Sequence, residues 1–461
     1  MDTLAVPFIV LMLYDIPFVY YQVFTFIRSF RYSRVRARLI EVQTLLSDPP
    51  LVSILIPTKG EDKELIYNTI SKLNGSDVSR YFEFIIISDD TEDYVNELKR
   101  MLSGFSNVLV LRREKPRGFK ACALQYGFER SRGKYVITLD VDSVVSPEHI
   151  LEAAKYLESS GCDAVTFRWM GYTNNLNLTS LGLIISTNLV SRALFLGRFG
   201  DKFAAFPVGS GTMFKAESLR RIGGWDCNVV QDDLVVGARM IAEGMRICPL
   251  DFPIYVEVPS SLRSFIIQQS RWALGTAETL RTNGSKILGA KISTLKKVDA
   301  IWYLLQYTPI FAALLAMTYL SLVVLIYPDF SPPLWLFGLW VASIGLYGLT
   351  YFVESRELDY PEFLKIRALG RISSFSAATS FYMMVGFING LRNRKVYKIT
   401  PKGRNSTRLG RFLPKTPLIL GSIMMISSLR ALIMLNYISF LWLLYYGLAM
   451  IYTVYIAVKE G

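Results

Sequence analysis

Histidine occurs once in this 461-residue chain, at His149, and cysteine four times, at Cys122, Cys162, Cys227 and Cys248. One histidine excludes a multi-histidine metal centre, and it leaves a Ser-His-Asp triad no base except His149 itself. No two cysteines share a C-x-x-C spacing. Neither a zinc site nor a disulfide framework is therefore expected, and reduced cytosolic thiols are the default. Carboxylates are left to carry any acid–base or metal chemistry. Low-complexity segments and internal repeats are also missing. So are acids from Arg392–Lys415, a stretch with nine Lys/Arg.

What the chain has in plenty is apolar surface. Hydrophobic residues make up 51% of it, charged residues 19%, and mean hydropathy is +0.31. Charges and apolar runs must then be segregated, as in a water-soluble domain joined to a membrane part. The net charge of +13 would suit nucleic acid. Its placement argues otherwise: the five arginines of Arg28–Arg38 and the basic stretch 392–415 flank apolar segments. Such flanks mark the cytoplasmic loops of membrane proteins. A lipid bilayer is the expected partner, and nucleic acid is not.

Leu4 to Ile27 is long enough to span. It lacks the basic n-region and small-residue cleavage site of a signal peptide. Its one acid, Asp15, is costly in lipid and is expected to face other helices. Further spanning runs are Ile301–Tyr327, Leu334–Val353 and Thr416–Val458, the last a hairpin broken near Asn436-Tyr437. Ile372–Leu391 is bounded by Arg371 and interrupted by serines. If it spanned, the basic stretch behind it would lie opposite Arg28–Arg38, so it reads as an interfacial amphipathic helix. The expected organisation is a transmembrane helix over 1–30, a cytosolic domain over 31–260 and interfacial helices over 261–300. A transmembrane hairpin over 301–355, an interfacial helix over 356–391, a basic cytosolic loop over 392–415 and a second hairpin over 416–461 follow. That makes five spans in a multi-pass plasma-membrane protein with its amino terminus outside.

Between Leu51 and Val258 short apolar runs alternate with amphipathic segments. The runs are Val52–Ile56, Phe84–Ile87, Val108–Leu111, Tyr135–Leu139 and Ala164–Phe167. Such alternation predicts an α/β domain with a mostly parallel sheet. Ligands sit beyond the carboxyl ends of strands in these sheets. Three ends are polar: Thr58-Lys59-Gly60-Glu61, Asp89-Asp90 and Asp140-Val141-Asp142. Residues two apart on a strand share a face, so Asp140 and Asp142 offer two hard oxygen ligands suited to Mg²⁺ or Mn²⁺ with substrate phosphates. Taken alone, each motif has a plainer reading. The D-x-D is also an acidic turn, and Asp89 also suits a helix N-terminus. Lys120 either binds a diphosphate or is solvated. Asp232-Asp233 either caps a helix or supplies a general base. Arg271-Trp272 either contact ligand or anchor a helix at a membrane surface.

Together the motifs resemble those of processive members of glycosyltransferase family 2, the cellulose, chitin and hyaluronan synthases. The likeness rests on Asp89, Leu139-Asp140-Val141-Asp142, Gln231-Asp232-Asp233 and Gln268-Gln269-Ser270-Arg271-Trp272. Lys120-Ala121-Cys122-Ala123-Leu124-Gln125 is similar to the family's K-A-G-A-L-N, and Gly209-Ser210-Gly211-Thr212 to its small-residue stretch near the acceptor. Tyr397-Lys398-Ile399-Thr400-Pro401-Lys402-Gly403 resembles the F-x-V-T-x-K-G gating loop of bacterial cellulose synthases. Gln231-Asp232 stands where the family has Thr-Glu.

The resemblance implies a GT-A-type nucleotide-sugar-binding domain, a mixed and mostly parallel sheet, inserted between transmembrane helices. It implies an inverting, metal-dependent hexosyltransferase using Mg²⁺ or Mn²⁺, with a UDP-sugar as donor and a growing polysaccharide as acceptor. The alternative is transfer of a single sugar to a membrane lipid, as by ceramide glucosyltransferase or onto a polyprenyl phosphate. Carried over by position, Asp233 is the catalytic base. Thr58, Glu61, Asp89, Lys120, Asp140, Arg271, Thr400 and Lys402 bind donor. Trp272, Gly209 and Ser210 bind acceptor, and Asp140 and Asp142 hold the metal.

Overall fold

The structure, a computed structural model, describes residues 2–35, 51–395, 398, 400, 401 and 412–460. Helix α1 (Asp2–Val35) leads into β1 (Val52–Thr58), α2 (Lys63–Asn74), β2 (Phe82–Ser88), α3 (Glu92–Met101), β3 (Val108–Arg112), α4 (Lys120–Phe128) and β4 (Tyr135–Thr138). Next come β5 (Val144–Val145), α5 (Pro147–Ser159), β6 (Ala164–Tyr172), α6 (Leu178–Leu194), β7 (Thr212–Lys215), α7 (Ala216–Arg221), α8 (Asp232–Ala242) and β8 (Ile247–Glu257). The rest is helical: α9 (Leu262–Gly289), α10 (Thr294–Leu304), α11 (Thr308–Ile326), α12 (Leu334–Ser355), α13 (Glu362–Leu391), α14 (Lys415–Ile433) and α15 (Tyr437–Glu460).

The strands form one sheet in the order β3-β2-β1-β4-β7-β6-β8-β5. Pairs β2–β3, β1–β2, β1–β4 and β6–β8 are parallel, while β7 runs antiparallel between β4 and β6. Alternating strand and helix predicts the parallel pairs, and the whole is the mixed, mostly parallel sheet that the family resemblance implies. The apolar runs are continuous because both faces are covered. Ile54, Ile56, Phe84, Ile86 and Ile137 pack on one side, and Leu55, Ile85, Ile87 and Val136 on the other. With β2, β1 and β4 adjacent, the three polar strand ends lie side by side, and the Asp89 amide donates to Thr58 O at 3.2 Å.

Six helices among the described residues are long and apolar enough to cross a membrane. Five spans were expected, and the sixth is Leu178–Arg198, inside the sheet domain. Its apolar stretch is 83% buried within the protein, against 17% for that of α1. A helix enclosed by protein is apolar all round for the same reason as one enclosed by lipid. Helix α13 is a single 30-residue helix lying along α9. A Cβ on Gly386 would collide with the Ser270 carbonyl, and one on Gly390 with that of Leu274. The one-turn glycine repeat is what brings the two backbones together.

Buried charge fastens the sheet domain to the helices. Arg168, at the irregularity in β6, and Arg192 of α6 reach Glu354 at the end of α12 at 3.0 and 2.6 Å. Glu354 is 1% exposed. Removing one partner would leave an uncompensated buried charge, the costly case.

The cysteines overturn the expectation of free thiols. All four are bonded, as Cys122–Cys227 and Cys162–Cys248, across 105 and 86 residues of sequence. Long-range pairs of this kind leave no local spacing to read.

Candidate active site

A cavity of about 1720 Å³ opens beyond the carboxyl ends of β1, β2 and β4. Each wall is set by a local turn. After β1, the Gly60 amide donates to Asp90 Oδ1 at 2.8 Å with Gly60 at φ +77°, a backbone angle that favours glycine. Glu61 folds back onto the Lys59 amide; burial raises its carboxyl pKa against that bond. After β4, the Asp140 amide donates to Ser210 Oγ at 3.0 Å, and Ser143 and Ser210 hydroxyls meet at 2.7 Å.

Charge is dense at this end. Lys120, in the first turn of α4, donates to Asp140 Oδ1 at 2.6 Å and to Gly209 O at 2.7 Å. Burial alone would lower its pKa, but the Asp140, Asp232 and Asp233 carboxylates outweigh it and raise it. Asp232 and Asp233 open α8, both buried. Burial first, then the Asp232 charge, push Asp233 up to about 7, with Lys120 pulling the other way. Its Oδ1 accepts the Leu234 amide at 2.8 Å. Burial also raises Asp232, against Lys120. Gly209 lies against both groups: a Cβ there would make ordinary contact, 3.4 Å from Asp233 Oδ2 and 3.5 Å from Lys120 Nζ.

Helix α9 closes the opposite wall. Its Gly275 lies so near Gln231 that a Cβ would overlap that side chain. This contact sets the Q-x-x-R-W segment against the turn carrying Asp233. Arg271 Nη1 donates to Lys398 O at 3.3 Å. Trp272 stands 6.1 Å from Trp169, ring centre to ring centre.

Of the residues expected to bind, Thr58, Glu61, Asp89, Lys120, Asp140, Asp142, Gly209, Asp233, Arg271, Trp272 and Thr400 line this one cavity. Two do not. Ser210, expected at the acceptor, is buried behind the D-x-D turn, its hydroxyl spent on Asp140 and Ser143. Lys402 lies outside the described residues, as do Tyr397, Ile399 and Gly403. Asp89 is engaged on both oxygens by Arg113, each contact 2.6 Å. The base-side group is thus an Asp89–Arg113 pair rather than a lone carboxylate.

Arg113 and Trp169 were not singled out from the sequence. Arg113 directly follows β3, the strand beside β2, and Trp169 lies past the irregularity in β6. Their nearness to polar strand ends is the signal that would have found them.

Thr58 Oγ1 and Thr400 Oγ1 are buried with no hydrogen-bond partner among the described residues, and both residues line the cavity. Orphaned hydroxyls in a cavity wall fit a polar ligand between them. Asp140 and Asp142 present two hard oxygen donors, and among the described residues no group of three or more His, Cys, Asp or Glu forms a protein-only cage. Two carboxylates fit a Mg²⁺ or Mn²⁺ that shares its remaining positions with diphosphate and water.

The cavity does not stop at the sheet domain. It continues between the helices, where Asp15 and Gln22 of α1, Tyr307, Ser376 and Ser380 of α13, and Tyr446 of α15 line it.

The sequence signature described as "Glycosyl transferase family group 2" matches residues 135–353. A probable glycosyltransferase of Sulfolobus acidocaldarius is 36% identical over 454 residues, which is 96% of this chain and 97% of that one. The poly-beta-1,6-N-acetyl-D-glucosamine synthase of Staphylococcus aureus is 28% identical over 63% of this chain and 68% of its own length. A mannosyltransferase of Pyrobaculum calidifontis, solved with GDP-Man and Mn²⁺, superposes with a TM-score of 0.58 at 15% identity. That match covers 85% of this chain and all of the other, and it shows the GT-A-like fold.

Proposed function

The chain belongs to glycosyltransferase family group 2, and from this premise we propose that it moves a hexose from a nucleotide sugar to a growing polysaccharide. The donor and base sites face the cytosol, and the anomeric carbon is inverted. The observation that carries this reading is one cavity running from Asp233 to Tyr446. It joins a diphosphate-sized charged end to an end with hydroxyl and amide groups, a lining suited to a polyhydroxyl chain.

In the proposed reaction Thr58, Glu61 and the Asp89–Arg113 pair lie on the base side of the donor. Lys120 leaves Asp140 for the diphosphate, and Arg271 meets the diphosphate from α9 by bidentate contacts. Asp140 and Asp142 would hold a divalent cation, which would supply further charge neutralisation at the diphosphate. Asp233 takes the proton from the acceptor hydroxyl. That oxygen bonds to the anomeric carbon as the bond to the diphosphate breaks, and the nucleoside diphosphate leaves with its electron pair. Lys120 and Arg271 offset the charge that builds on it. Trp272 and Trp169 offer flat faces to the acceptor sugar at the mouth of the helical part. Thr400, in the stretch resembling a gating loop, approaches the donor from the side of Arg271.

The solved mannosyltransferase was bound to GDP-Man, whereas a UDP-hexose is what the motif resemblance implies. The test is a panel of radiolabelled UDP- and GDP-hexoses incubated with the full chain in membranes, with products sized by gel filtration. The proposal expects a labelled polymer from one donor. A single-sugar lipid would replace it with the lipid-acceptor reading, and no transfer from any donor would refute both.

A further inference from the structure

The Cys122–Cys227 disulfide joins the two halves of the charged site. Cys122 is two residues after Lys120, in the same first turn of α4. Cys227 lies in the turn that runs into Asp232 and Asp233. The surroundings are shaped to this junction. Gly118, at φ +69°, lies so close to the Cys227 carbonyl that any Cβ would strike it. Gln125 Oε1 accepts the Trp225 amide at 2.8 Å, one turn further along α4. The same turn is gripped from two other sides: Lys395 donates to Asn228 O, and the Val230 amide donates to Glu278 of α9 at 2.7 Å. The resembling family motif has glycine where this chain has Cys122, so the bond is a feature of this chain and not of the motif.

We propose that the Cys122–Cys227 disulfide is a positioning element of the active site, which holds the diphosphate-binding lysine turn at fixed separation from the base-bearing turn. The proposal rests on the roles given above to Lys120 and Asp233. Helix α4 has nine residues; the Gln125 bond and the Phe128–Trp225 ring contact, 5.7 Å between centres, hold its later turns to the base turn, and the disulfide holds its first. Small misplacement of a binding group is enough to cost much of its effect. Both cysteines are half-buried, within reach of a small reductant. A dithiol would deliver two electrons and two protons, breaking the S–S bond to two thiols while closing to its own cyclic disulfide.

The second disulfide is the built-in comparison. Cys162 precedes β6 and Cys248 lies in β8, strands already paired in register from Ala164↔Ile247 onward. None of the four cysteines lines the cavity, but Cys162 and Cys248, unlike Cys122 beside Lys120, adjoin no residue that does. Its loss should lower thermal stability and leave the site's geometry alone.

The experiment uses the full chain in nanodiscs. Thiols are counted by alkylation in denaturant before and after dithiothreitol. Affinity for Mn²⁺-UDP and Mn²⁺-GDP is measured by calorimetry on oxidised chain, reduced chain, C122S/C227S and C162S/C248S. The expected result is no alkylatable thiol before reduction and four after it. The nucleotide that binds should bind about tenfold more weakly to reduced chain and to C122S/C227S. C162S/C248S should keep the oxidised affinity while melting earlier, and dithiothreitol should not weaken C122S/C227S further. A free thiol at Cys122 or Cys227 in the oxidised chain overturns the proposal, as does equal weakening in both double variants or unchanged affinity on reduction. If the oxidised chain binds neither nucleotide, the functional reading falls and this inference with it.

Discussion

The two ends of the cavity are built from opposite chemistry. At the sheet end, Lys120, Asp140, Asp232 and Asp233 crowd together: the three carboxylates raise the Lys120 pKa, while Lys120 opposes the burial that raises Asp232 and Asp233. At the helical end the lining turns to serine, tyrosine and glutamine, with Asp15 as the acid on α1. Concentrated charge in a partly desolvated site suits a step in which charge moves. Uncharged hydrogen-bonding groups suit a ligand that must be held weakly and shift past. The difference teaches that bond-making and acceptor handling are separable here, so changes at one end should leave the other end's readout intact.

The largest expected effect is at the charged end. Chelation with EDTA should lower transfer by about a thousandfold or more, restored by Mn²⁺ or Mg²⁺, because Asp140 and Asp142 then lose the charge that offsets the diphosphate. Full transfer in EDTA would break the assignment of the D-x-D pair.

The next effect is in pH. Asp233 must be ionised to act as base, and its pKa is raised to about 7. Transfer at saturating donor should fall about tenfold per pH unit below 7 and level off above it. Stability should run the other way. The folded state holds this proton more tightly than the unfolded chain, so Asp233's contribution is present below the ordinary aspartate range and is lost as pH rises through about 7. A pH–rate profile flat from 5 to 8 would remove Asp233 from the role of base.

The smallest effect belongs to the helical end. Ser376→Leu adds bulk to the cavity from α13. It should shorten the polymer by about threefold, as one added side chain narrows but does not close so wide a space. Nucleotide affinity should be unchanged. A matching loss of nucleotide affinity would erase the separation between the two ends.

Much of the charged end was legible in the sequence. Strand runs such as Val52–Ile56 and Phe84–Ile87 are apolar on both faces, which alternating strand and helix explain, and their polar ends announce the cleft. Apart from the run Ala164–Phe167, the far half of the sheet was not. Strand β8 carries Pro249 and Pro253, residues that argue against an interior strand, and it pairs with β6 across an irregularity. Strand β7 has four residues, and no alternation can be read over so short a run. The apolar run of α6 looks the same in sequence whether protein or lipid encloses it. Both disulfides and the Arg113–Asp89 pair are tertiary contacts, with no local pattern to betray them. Ser210 failed for another reason: a small-residue stretch fixes where the backbone approaches the site, not which of its side chains faces it.

The central claim is that Asp233 performs the chemical step at a site whose donor binding is carried by other groups. The direct measurement is transfer and nucleotide affinity on one preparation of Asp233→Asn, beside the unchanged chain. The account predicts that transfer falls by about a thousandfold or more while nucleotide affinity stays within about threefold, since Lys120, Arg271 and the D-x-D pair are intact. Surviving transfer with lost nucleotide affinity would contradict it.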